Sequence, residues 1–153
     1  MATVAGALMD AGTFELFGPP HLVAIALTVV TPVLLSIWVR RAGPGSFSAQ
    51  AMCVALAALL LANEGVYYVR SYVTKEAGEF LRESLPLHVC GLASYLTVWA
   101  LIRRSRWAYE IAYFWGLGGT LQAILTPNLQ VGFPTYRFVQ FFITHSGIVV
   151  AVL

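Results

Sequence analysis

Residues 16–39 read LFGPPHLVAIALTVVTPVLLSIWV, and none of them is Asp, Glu, Lys or Arg. A helix crossing the ~30 Å hydrocarbon layer of a bilayer needs about 20 mostly apolar residues, each rising ~1.5 Å. This stretch supplies them. Gly18-Pro19-Pro20 suits a helix start, because the fixed proline φ and missing N–H cost nothing in a first turn. Arg40, Arg41 and the Gly43-Pro44-Gly45 turn suit its end. The first span is therefore expected over 19–39.

The same reading divides the remaining sequence. A second span is expected over 49–69, with Glu64 as its single charge and Arg70 closing it. A polar connection from Ser71 to Ser84 follows, carrying Lys75, Glu76, Glu79, Arg82 and Glu83. A third span, 85–102, stops at Arg103, Arg104 and Arg106; a fourth covers 107–126, and a fifth covers 137–153. The expected architecture is an all-α, polytopic transmembrane helix bundle of about five spans, forming a single domain over 1–153.

Composition points the same way. The protein has 153 residues, of which 59% are apolar and only 10% charged, and a mean hydropathy of +0.77. A soluble domain carries roughly a quarter charged residues, because something must face water. The net charge of +2 is too small and too scattered for a nucleic-acid groove, so no nucleic-acid partner is expected. Met1 to Asp10 has no basic residue ahead of an apolar core and does not read as a cleaved signal.

Basic residues in short loops stay on the cytoplasmic side. Arg40 and Arg41 after span one, and Arg103, Arg104 and Arg106 after span three, put those loops inside. The N-terminus and the other two connections then lie outside, in a multi-pass protein of the cell membrane.

Polar side chains in this frame gather in one layer. Glu64 lies roughly 9 Å below the outer boundary, Cys90 about 8 Å and His145 about 12 Å, at helical rise. His88 is slightly shallower than Cys90. His21 stands at the outer mouth of span one, while Gln122, Thr126 and Asn128 mark the outer end of span four. Polar groups are expensive in hydrocarbon and normally face the bundle interior, pair, or line a wet cavity. Cys53 starts span two from the inner side, too far in depth from Cys90 for a disulfide.

Cys90 follows Leu85-Pro86, a helix start with Ser84 as its candidate cap, so the positive end of the helix dipole points at the thiol and favours thiolate. Its bland alternative is a small apolar residue. His88 lies two residues away, on nearly the opposite helix face, and shares a site with Cys90 only if the first turn is irregular. His145 is the better base, since a Cys–His pair makes an acyl-accepting nucleophile. Gly116-Leu-Gly118-Gly119-Thr120 has no preceding strand and no following Lys, and reads as small residues that let span four pack closely. With no H-x-x-x-H or C-x-x-C spacing, no metal site is expected, and no cofactor is implied.

Phe17-Gly18-Pro19-Pro20-His21-Leu22, Leu85-Pro86-Leu87-His88-Val89-Cys90, the run from Phe114 to Leu129 with its Gln122-Ala123-Ile124-Leu125-Thr126-Pro127 block, Phe133-Pro134, and Phe141-Phe142-Ile143-Thr144-His145-Ser146-Gly147-Ile148 together resemble the YwaF-like bacterial integral membrane proteins. That family is more distantly similar to a eukaryotic transmembrane acyltransferase that remodels ether phospholipids and depends on a cysteine. The resemblance implies Cys90 as the matching nucleophile. It also implies C-terminal truncation relative to the family, whose members continue with further spans.

The expected function is a membrane-embedded, cysteine-dependent lipid acyltransferase or thioesterase acting on membrane lipids. Cys90 is its nucleophile, His145 its base and acid, and His88 the alternate base. Glu64 or Gln122 would orient the histidine or steady the oxyanion, and His21, Gln122, Thr126 and Asn128 would line the substrate site. The alternatives are a small-solute or proton transporter with Glu64 and the histidines as relay, or a structural membrane protein without chemistry. Self-association stays open.

Overall fold

The computed structural model describes residues 12–43, 45–74 and 89–153. Their backbone is helical apart from short connections and one isolated bridge between Thr13 and Val131. Helix α1 spans Pro19–Ala42, α2 Phe47–Thr74, α3 Val89–Arg103 and α4 Arg106–Trp115. A π-helical segment, Gly116–Thr120, leads into α5, Leu121–Leu125, and α6 spans Tyr136–Val152.

Local chemistry accounts for the boundaries. Gly18 caps α1 with Pro19 and Pro20 in its first turn, and Arg40 and Arg41 sit in the last turn, where cations offset the helix dipole. Gly43 ends α1 at φ 92°, a conformation an L side chain rarely adopts. Thr135 caps α6 by accepting the Phe138 N–H at 3.3 Å. The fourth expected span, 107–126, is not one regular helix. It is α4, the π segment and α5 in sequence, because the glycine-rich stretch Gly116–Thr120 widens the turn instead of merely allowing close packing.

Helices α1 and α2 are long and apolar enough to cross a membrane, and α3 and α6 are shorter apolar helices. Their burial pattern is inverted relative to a water-soluble helix. The inward stripe of α1 is His21, Ala24, Thr28 and Pro32, while Val23, Leu27, Val30 and Leu34 face outward. Small and polar residues inside with branched apolar residues outside suit a bundle solvated by lipid tails, where a greasy exterior carries no penalty. The architecture is an all-helical membrane bundle.

Helix α6 is its centre, touching every other described helical element, whereas α1 and α2 meet each other only sparsely. Gly147 lets α2 close onto α6, with the Leu60 side chain against it. On another face of α6, Phe138, Phe142 and Val149 form a core with Ala24 and Ile124. The start of α1 and the end of α5 lie at the same end of the bundle. Phe14 N–H donates to the Gln130 carbonyl at 3.2 Å, and Gly132 N–H to the Gly12 carbonyl at 2.9 Å. The antiparallel path then places Arg40, Arg41, Arg103, Arg104 and Arg106 at the opposite end.

Candidate functional site

His21 is 1% exposed and both of its ring nitrogens are engaged. Nδ1 accepts the Phe17 N–H at 2.9 Å, which leaves the proton on Nε2, and Nε2 donates to the Ile124 carbonyl at 2.8 Å. Phe14, Phe17 and Phe142 surround the ring. This histidine pins the first turn of α1 to α5, with no ring nitrogen left for a ligand. Thr28 reinforces the α1–α6 seam through a 2.6 Å hydrogen bond with Ser146.

A second polar group bridges α2 and α6. Asn63 Nδ2 donates to the Gln140 carbonyl at 3.2 Å and to Thr144 Oγ1 at 2.7 Å, and Thr144 donates to Glu64 Oε1 at 3.2 Å. Glu64 is 6% exposed. Above it, the Arg70 guanidinium lies 4.7 Å from the centre of the Tyr136 ring, and the Tyr136 hydroxyl is buried without a hydrogen-bond partner among the described residues.

Cys90 belongs to a third group. It sits in the first described turn of α3, half-buried, as a free thiol; Cys53 is free as well. The Cys90 thiol lies against the side chain of Thr120, the last residue of the π segment. Thr120 is 1% exposed, and among the described residues its hydroxyl makes no hydrogen bond of ordinary geometry. An unsatisfied buried hydroxyl costs about 1–3 kcal/mol, so it calls for an explanation.

His145 approaches from α6. Its Nδ1 lies 2.7 Å from the Phe141 carbonyl, an acceptor only, so Nδ1 carries the proton and Nε2 keeps its lone pair. The ring stacks on Phe141, with centroids 4.0 Å apart. Its height follows from the packing of span four on α6. Gly116 faces Ile148 and Val152, while Ile124 packs with Phe138 and Phe142. Thr120 is midway between Gly116 and Ile124, so it stands opposite the stretch of α6 that holds His145, within ~2–3 Å of height at helical rise. At about 100° per residue, His145 points between the side chains that meet Gly116 and those that meet Ile124, toward span four. His145 therefore stands at about the height of Thr120 on the face of α6 turned toward span four, and among the described residues no hydrogen bond joins it to Cys90.

The remaining expected site residues fall elsewhere. Gln122 and Thr126 are bonded to each other at 2.9 Å on the outer side of α5, and Asn128 lies beyond its end. They are not brought to Cys90. His88, with Ser84, Leu85 and Pro86, lies outside the described residues. Among the described residues, no group of three or more His, Cys, Asp or Glu side chains is placed to hold a metal ion. Thr120 is the site residue that the sequence reading missed, since the glycine-rich stretch was assigned to packing. The available signal was a threonine ending a run of glycines too poor in helix propensity to hold a regular turn.

Such a bundle, apolar outside and polar within, defines a helical membrane protein. A model of the TMEM164 family matches residues 16–153, nearly the whole sequence, and the protein belongs to that transmembrane family. No match was found among curated proteins or among solved structures.

Proposed function

We propose that this is a multi-pass protein of the cell membrane that transfers acyl groups between membrane lipids, or releases them, through a thioester on Cys90. The distant resemblance to an ether-phospholipid acyltransferase that depends on a cysteine favours this chemistry. The reading is supported by the Thr120 side chain against the Cys90 thiol and by His145, whose Nδ1 proton is directed at the Phe141 carbonyl so that Nε2 keeps a lone pair at a similar height.

The steps balance without a cofactor. His145 Nε2 takes the Cys90 proton as Sγ attacks the carbonyl carbon of a lipid ester. The C–S bond forms, and the carbonyl electrons move onto oxygen. Collapse breaks the C–O bond and expels the lysolipid alkoxide, which takes the proton back from the imidazolium. A lipid hydroxyl or water then attacks the thioester by the reverse sequence.

Incubation with phospholipid labelled in its acyl group tests this. The expected result is a hydroxylamine-sensitive adduct, abolished by Cys90→Ala and retained in Cys53→Ala. Full transfer activity in Cys90→Ala overturns the reading. The buried Glu64, with the Thr144 hydroxyl as its hydrogen-bond donor, supports a second reading as a proton or solute relay. In that case Glu64→Gln would abolish uptake into liposomes while Cys90→Ala would leave it intact.

A further inference from the structure

Several threonines in this bundle share one habit, although Thr144 instead donates across to Glu64. Thr28 donates its hydroxyl to the Ala24 carbonyl at 2.8 Å, Thr74 to Arg70 at 2.8 Å, Thr97 to Ala93 at 2.7 Å and Thr126 to Gln122 at 3.1 Å. Each bond runs back four residues, the ordinary way to satisfy a threonine in an apolar helix. By that rule Thr120 would donate to the Gly116 carbonyl. It does not. The π turn sends the Leu121 N–H back five residues to that same carbonyl, and the Thr120 hydroxyl is left buried beside Cys90, unsatisfied by any described residue. π turns inside α-helices are frequent at functional sites because they re-aim a side chain at a cost in regularity.

We propose that Thr120 is a catalytic residue: its hydroxyl donates a hydrogen bond to the carbonyl oxygen of the acyl group as charge develops there during attack by Cys90. The inference rests on the reading of Cys90 as acyl acceptor and adds the electrostatic partner that chemistry requires. The oxygen of a tetrahedral adduct is bound to the same carbon as Sγ. A donor lying against the thiol is therefore within reach of that oxygen. Among the described residues Thr120 has no hydrogen-bonded acceptor to abandon when the charge appears, so its dipole is available in advance. The transferred proton still travels between Cys90, His145 and the leaving alkoxide, and Thr120 keeps its own.

The test uses the full-length protein in detergent micelles, in a Cys53→Ala background, with two electrophiles. Acylation by p-nitrophenyl octanoate passes through an oxyanion, and alkylation by iodoacetamide does not. Thr120→Val is expected to slow acylation of Cys90 by about 10²- to 10³-fold, the loss typical of one oxyanion donor. It is expected to leave alkylation unchanged and the melting temperature equal or higher, because a satisfied bond is not being removed. Thr120→Ser restores the acylation rate, and Thr120→Ala gives the same comparison with a smaller side chain. Acylation at the wild-type rate in both Thr120→Val and Thr120→Ala overturns the inference, as does a parallel loss of acylation and alkylation. A wild-type protein that accepts the octanoyl group on Cys90 but none from labelled phospholipid leaves Thr120 in its role and removes the lipid donor instead.

Discussion

Two polar clusters flank α6 at a similar height, and they are finished differently. On the α2 side, Asn63, Glu64 and Thr144 spend their hydrogen bonds on one another and on the Gln140 carbonyl. On the span-four side, Thr120 Oγ1 is unsatisfied by the described residues, His145 Nε2 keeps its lone pair, and the Cys90 thiol is free. Burial does not explain the contrast, because Glu64 and Thr120 are both nearly inaccessible. The first cluster uses its polarity to fix α2 against α6. Beside the first cluster the Tyr136 hydroxyl is open as well, but in the second the open hydroxyl, Thr120, lies against a thiol that can react.

That contrast breaks most sharply at His145. Replacing it by Phe keeps an aromatic ring against Phe141 and removes only the bond to the Phe141 carbonyl, a loss of about 1 kcal/mol. The same change removes the general base, so formation of the Cys90 adduct is expected to fall by about 10²- to 10⁴-fold. Single-turnover labelling beside a thermal melt separates the two effects. A variant that keeps wild-type labelling would make His145 another structural histidine like His21. Asn63→Leu should behave oppositely. It deletes two inter-helix hydrogen bonds and is expected to lower stability by about 1–2 kcal/mol, with labelling per folded molecule near wild type. Loss of labelling without loss of stability would merge the two clusters into one site.

The bundle was legible in the sequence because charge marks the span boundaries. Arg40, Arg70 and Arg103 fall at or within a turn of the ends of α1, α2 and α3, and expected bounds such as 19–39 and 137–153 differ from Pro19–Ala42 and Tyr136–Val152 by a few residues. The similar expected depths of Cys90 and His145 come from the same signal, since depth follows from counting residues inward from those charges. The facing of each helix was not. In water an apolar stripe points to the core, but here both sides of α1 are apolar enough to be either, and His21 alone does not say whether it meets a ligand or the Ile124 carbonyl. The π turn was hidden too, because five residues of Gly, Leu and Thr are compatible with close packing, and Gly116 does pack closely against Ile148.

Gln122 gives the finest discrimination, and the smallest effect. It follows Thr120 by two residues, so a sequence argument based on depth alone places both at the same layer and makes the larger amide the more attractive oxyanion donor. The structure separates them: two residues is more than half a helical turn, and Gln122 is turned outward onto Thr126 while Thr120 is turned inward onto Cys90. Gln122→Ala therefore removes one exposed side-chain bond, worth less than about 0.5 kcal/mol, and should leave both the melting temperature and the rate of Cys90 labelling unchanged. A slowing comparable to that of Thr120→Val would show that depth, not the facing imposed by the π turn, decides which side chains reach the acyl carbonyl. An unchanged rate ties the open valence to the turn that creates it.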